Sequence, residues 1–149
     1  MTPQPAADDA ADAAASWRER RSDAAAGHAQ ALDRRHDAES RQARAMIAEF
    51  VRAATAQGVA ARALVAHGYT GRARYRTSLV GWYLRRDESL AVGTDGEFYV
   101  LTVPAGLRTR LHGATPAPSE PPLILGKGGR DGESIDLKVA LARALDPTA

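Results

Sequence analysis

Three arginines stand at every second position of one short run, Arg72, Arg74 and Arg76, alternating with Ala73, Tyr75 and Thr77. In an extended chain, residues two apart share a face, so this spacing predicts a strand with three guanidinium groups on one side. A guanidinium is a permanently charged planar fork that matches a phosphate or carboxylate through two parallel hydrogen bonds. The surroundings strengthen that chemistry. Between Phe50 and Arg86 there are seven arginines and no acidic residue, and seven of the eight aromatic residues fall between Phe50 and Tyr99. Basic strands carrying exposed rings bind single-stranded nucleic acid, because stacking and charge both act without reading base edges. The candidate binding residues are Arg72, Arg74, Arg76, Tyr75, Trp82, Tyr83, Arg85 and Arg86. A second reading uses the same residues differently. In a chain with few aromatics the rings are the core and the arginines are the wet face, since Trp and Tyr are highly buried on average.

Other constellations are weaker. Leu123-Ile124-Leu125, a glycine-rich run and a helix start have the order of an anion site. Lys127, Gly128, Gly129 and Arg130 therefore form a secondary candidate loop. It is no P-loop, because that motif ends on Gly-Lys-Ser/Thr, and Asp131 and Glu133 would repel a phosphate. The histidines are His28, His36, His67 and His112, and none pairs with another at ligand spacing. Asp33, His36 and Asp37 share a helical face, but a metal site needs further ligands and a supporting shell. With no cysteine, thiolate and zinc-thiolate chemistry are excluded. No metal and no cofactor are expected. His67, Glu97 and Arg74 supply the residue types of a metal-independent nuclease, but no spacing places them together.

Elements that would position these residues follow from periodicity. Residues 1–15 are rich in alanine and aspartate, bury little apolar surface, and are expected to be a disordered tail. Residues 16–42 contain Leu32 as their one large aliphatic and read as a polar, alanine-rich helical arm. Trp17, Ala24, Ala31, Ala38 and Ala45 recur at heptad spacing, which makes this arm a candidate for assembly with itself or another helix. Ala43, Met46, Ile47, Phe50, Val51 and Ala54 form a single apolar stripe at helical period, closed by Gln57-Gly58. The period then changes to two. Strands are expected near 61–66, 72–77, 79–84, 89–93 and 98–103, with Asp95-Gly96 as a type I′ hairpin turn. Leu107 to Leu111 is one helical turn. Ser134 is the expected cap of a last helix, in which Leu137, Leu141 and Leu145 repeat every four residues.

The order helix, strands, helix predicts an α+β fold: a small antiparallel sheet packed by an amphipathic helix and a C-terminal helix, within a compact domain over 43–147. The run Gly81-Trp82-Tyr83-Leu84-Arg85-Arg86, then Phe98-Tyr99-Val100-Leu101, then Gly126-Lys127-Gly128-Gly129-Arg130-Asp131-Gly132-Glu133 resembles small actinobacterial proteins of unassigned function. The resemblance spans about 45 to 146 and implies a bacterial source, but no activity.

Net charge is −1 over residues 1–44 (seven Arg, eight Asp/Glu) and +3 over 45–149 (thirteen Lys/Arg, ten Asp/Glu), so a one-signed patch matters more than the total. No apolar run approaches the roughly 18 residues of a membrane span. The start carries acids where a secretion signal needs positive charge. A cytoplasmic location and no membrane partner are expected. Three functions stay open: a non-catalytic binding module for single-stranded nucleic acid or another anionic partner such as an acidic protein, an assembly protein forming a homo-oligomer through the N-terminal helix, and a metal-independent nuclease.

Overall fold

The computed structural model describes residues 5–126, 133–146 and 148. Helix α1 runs Pro5–Gln57. Its first part, through Ala38, is one compact unit, and residues from Glu39 onward form the other. Helix starts at Pro5, inside the stretch expected to be disordered. Proline suits the first helical position, Asp8 favours the positive end of the helix dipole, and the alanines that follow have the highest helix propensity. The arm and the amphipathic stripe are one helix, with no break at Gly27. Within the first unit Trp17 and Leu32 are exposed. The Arg21 guanidinium lies 4.7 Å over the Trp17 ring.

The second unit is α+β. After α1 come β1 Arg62–Gly68, β2 Arg74–Tyr83, β3 Leu90–Gly93, β4 Phe98–Val100 and β5 Thr102–Val103. Then follow helix α2 Leu107–His112, β6 Ile124–Leu125, β7 Ile135–Asp136 and helix α3 Leu137–Leu145. No helix among the described residues is long and apolar enough to cross a membrane. The α1 end is capped as the sequence predicts. Val59 N–H donates to Ala54 C=O at 2.9 Å and Gly58 N–H to Thr55 C=O at 3.2 Å, the paired bonds of a Schellman ending.

The main sheet has the order β4-β3-β2-β1-β5, antiparallel except for the parallel β1–β5 pair. Its two outer strands are one run of chain, separated only by Leu101. Leu101 N–H donates to Ser89 C=O at 2.8 Å, and its carbonyl accepts from His67 N–H at 2.7 Å. The segment from Phe98 to Val103 thus pairs with β3 on one side and β1 on the other, and the sheet closes on itself. Leu101 is thus paired on both sides, and Phe98 C=O also accepts from Ser119 N–H at 2.8 Å.

Alternation then sorts every side chain. Leu64, Ala91, Tyr99 and Leu101 point inward with Leu79 and Tyr83. Ala66 and Tyr75 fill the other end, with Ala73, Val103 and Ala114. Trp82, Val92 and Phe98 point outward, where Ala43, Ile47, Phe50 and Ala54 of α1 and Leu137, Ala140 and Leu141 of α3 cover them. Phe50 meets Trp82 edge to face at 5.4 Å.

So small an interior needs room. Gly81 faces Gly93 across the β2–β3 pair, and a Cβ on Gly81 would lie 2.0 Å from the Val92 carbonyl oxygen. The β1–β2 ladder also slips between Ala63 and Val65. Side chains repair the slip: Thr77 Oγ1 donates to Leu64 C=O at 2.6 Å, and Tyr83 Oη accepts from Val65 N–H at 2.9 Å.

Two expectations are corrected. The β3–β4 connection is not a type I′ turn, which requires positive φ at both central residues. Among the described residues Glu88 alone of the non-glycines has positive φ, so Asp95 does not. Gly93 C=O accepts from Gly96 N–H, and Gly96, at φ +81°, follows a turn centred on Thr94-Asp95. Ser134 does not cap α3. Ile135 and Asp136 pair with Leu125 and Ile124, which holds this stretch extended, and Asp136 becomes the N-cap.

Phe50→Ala should cost about 3–5 kcal/mol in chemical denaturation, as large-to-small core changes do. Gly96→Val should cost about 1–2 kcal/mol from its left-handed backbone. A loss under about 0.5 kcal/mol for Gly96→Val would mean that the turn does not hold this conformation.

Candidate anion-binding cleft

The closed sheet decides which candidate residues can meet a ligand. Tyr75 is 5% exposed and Trp82 7%, so neither presents a ring face. Trp82 Nε1–H also donates to Val59 C=O at 3.1 Å, tying its one polar atom into the core. Tyr83 is half-buried, with the Arg62 guanidinium 5.3 Å above its ring. These rings form the packed core, as the second sequence reading has it, and are not stacking platforms. Tyr69 is different. It stands 74% exposed in the turn just before Arg72.

The arginines divide as well. Arg74 and Arg76 lie on β2 with their side chains exposed, and Arg72 is exposed just before the strand. Arg85 is half-buried beside Asp87, with Nε 3.6 Å from Oδ2, and Arg86 is exposed. The secondary loop Lys127, Gly128, Gly129 and Arg130 lies outside the described residues.

What the fold assembles is a cleft of about 680 Å³ lined by Arg72, Arg74, Tyr75 and Arg110, with Ala73, Ala105 and Gly106. Arg74 comes from the start of β2, Arg72 from the chain just before it and Arg110 from α2. Among the described residues no acidic side chain lines the cleft. Arg76 is not part of this lining. Arg110 has no local signal in the sequence. It reaches the cleft because Ala114 N–H donates to Arg76 C=O at 2.8 Å, which ties the chain after α2 to β2.

Beside the cleft, closure makes a second cluster. His67 and Arg74 are register partners on β1 and β2. Glu88, on the β2–β3 connection, accepts from Arg74 Nη2 at Oε2, 3.2 Å away, and the same oxygen lies 3.6 Å from His67 Nε2. Two members of the sequence triplet are thus brought together, but Glu97 is not the third. Glu97 pairs instead with Arg44 at 3.7 Å. Glu88 sits in the left-handed region at φ 58°. A local frame holds it: Glu88 N–H donates to Arg85 C=O at 3.1 Å, while Ser89 N–H and Oγ donate to Asp87 Oδ1 at 3.0 and 2.6 Å. Burial opposes ionisation of Asp87, but the Ser89 hydrogen bonds and the Arg85 charge outweigh it and hold the carboxyl below its usual range.

A further strong shift belongs to Tyr99. Burial, then the hydrogen bond to Asp95 (Tyr99 Oη to Oδ2, 2.6 Å) and the charges of Asp95 and Glu97, push its phenol up to about 12.

Compared with known proteins, the chain matches no family model, no curated protein and no solved structure. Its function must be argued from its own geometry.

The Tyr99 phenol is favoured protonated in the folded chain, whereas an unfolded tyrosine ionises near 10.0. Folding stability should therefore fall as pH rises from about 10 toward 12, because the unfolded state loses its proton first. Tyr99→Phe should flatten that decline and cost about 1 kcal/mol at neutral pH through the lost hydrogen bond. Denaturant titrations at neutral and alkaline pH measure both.

Proposed function

We propose that the chain is a non-catalytic binding module that takes the phosphate backbone of single-stranded nucleic acid into the cleft of Arg72, Arg74 and Arg110. One observation carries this reading: among the described residues three arginines, Arg72, Arg74 and Arg110, line one concavity with no acidic residue in the lining. Its volume of about 680 Å³ falls within the range of small-ligand sites. A row of permanent cations on a groove tracks a polyanion by charge, with bidentate contacts fixing each phosphate. Stacking is a minor part, supplied by the exposed Tyr69 ring in the turn before Arg72.

The cluster beside the cleft does not favour a nuclease. Nε2 of His67 is buried and directed at Glu88. A general base must reach the proton that it removes, and this nitrogen is not offered to a substrate.

Anisotropy titrations of a labelled single-stranded oligodeoxythymidylate should give an affinity that falls steeply with salt, since each phosphate contact releases a counterion. Replacing Arg72, Arg74 and Arg110 together with Gln should flatten the logarithmic salt slope by about 0.7 per lost contact, or about two units. Arg76→Gln, outside the cleft lining, should change the slope by less than one contact's worth. Absence of binding at low salt would remove the nucleic-acid reading, and an unchanged slope in the triple variant would move the site elsewhere.

A further inference from the structure

We infer that Glu88 is a built-in anion that occupies Arg74 until a ligand arrives, and that His67 takes up a proton as the ligand displaces it. Nucleic-acid binding then strengthens on acidification. The inference rests on the reading of the cleft as a phosphate site.

Three observations converge on it. Arg74 belongs to two places at once: it lines the cleft, and its Nη2 lies 3.2 Å from Glu88 Oε2. A phosphate entering the cleft must share that guanidinium with a carboxylate or take it over. Next, His67 Nε2 is buried without a hydrogen-bond partner, 3.6 Å from the same carboxylate oxygen. A buried polar atom left unsatisfied is costly, and a nitrogen held just beyond bonding range of an anion is poised to bond it once protonated. Finally, Glu88 keeps a left-handed backbone at φ 58° that costs a non-glycine residue about 1–2 kcal/mol and glycine almost nothing. Glycine would avoid that cost, and the residue that stands there instead supplies the carboxylate that reaches Arg74 and His67.

Charge in the cluster sets the direction. His67 lies between Arg74 on β2 and the uncharged Thr102 on β5, with Glu88 from the β2–β3 connection facing it. With His67 neutral, Arg74 and Glu88 cancel. When a phosphate takes Arg74, Glu88 loses its cation beside an imidazole, and the proton affinity of that imidazole rises. Coupling of this kind is reciprocal: a ligand that raises proton affinity binds more tightly when the proton is already there. Histidine is the side chain that makes this exchange between about pH 5 and 8.

The test uses the full chain and the labelled oligodeoxythymidylate at fixed ionic strength, near about pH 8 and about pH 5.5. The natural chain should bind about three- to tenfold tighter at the lower pH, tenfold corresponding to a one-unit coupling. His67→Gln should abolish that difference, whereas His112→Gln, on α2 beside Arg110, should keep it. Glu88→Gly relieves the backbone and removes the competitor, so it should bind tighter than the natural chain near pH 8 and show a smaller pH effect. Glu88→Gln removes the charge without touching the backbone and should do the same, which keeps the test valid should either variant fold poorly. Calorimetry in two buffers of unlike ionisation heat should detect proton uptake on binding, absent in His67→Gln. Retention of the full pH effect in His67→Gln, or no gain of affinity in either Glu88 variant, overturns the inference. Strong but pH-independent binding by the natural chain overturns this inference alone, whereas no binding at either pH removes the cleft reading together with it.

Discussion

Leu101 is where the sheet turns back on itself. Its N–H is given to Ser89 and its carbonyl receives His67 N–H, so one residue joins the strand ladders on either side of it. Two consequences reach as far as function. An open sheet with this sequence would leave one face of β2 for solvent or a ligand, whereas closure encloses the face carrying Tyr75, Leu79 and Tyr83. Closure also carries the β2–β3 connection around to β1. That is how Glu88 comes to lie beside His67 and Arg74, although Arg74 and Glu88 sit at opposite ends of the hairpin in sequence.

The interior is stable because small and large residues are matched across it. A Cβ on Gly93 would lie 2.3 Å from Asp95 Oδ1 and 2.9 Å from the Tyr99 ring, so this glycine makes room for the Tyr99–Asp95 pair, while Gly81 makes room for the β3 backbone. Fully burying one large side chain is worth roughly 1.5–3 kcal/mol, but a tyrosine repays that only if its hydroxyl is satisfied. Tyr83 meets the condition by accepting Val65 N–H, and Tyr99 by donating to Asp95. The first bond repairs the ladder slip in β1 and the second ties down the β3–β4 turn. The polar ends of Trp82, Tyr83 and Tyr99 are therefore spent on the fold.

Much of this was legible residue by residue. The apolar stripe from Ala43 to Ala54 has one helical period and ends where the backbone signal says it should. Alternation in β2 correctly separates Arg74 and Arg76 from Tyr75. What alternation cannot say is which face is enclosed, because that depends on the pairing of β1 with β5, a contact between residues far apart in sequence. Arg110 and Glu88 were invisible for the same reason: each reaches its site through a long-range tie, Ala114 to Arg76 in one case and Leu101 to its two neighbours in the other. Asp95-Gly96 marked a turn but not its type, since both an I′ turn and a turn followed by a left-handed glycine accept that dipeptide. Ser134 looked like a cap because nothing local reveals that Ile135 and Asp136 will pair with β6.

Native-state hydrogen exchange at the amides of Leu101 and His67 tests closure most directly. Both N–H groups donate within the ladder, so both should exchange only by global unfolding, with the same free energy as the core strands. Rapid exchange at His67 and Leu101, with β2 and β3 still protected, would show an open sheet with free edges. It would also remove the arrangement that places Glu88 beside Arg74.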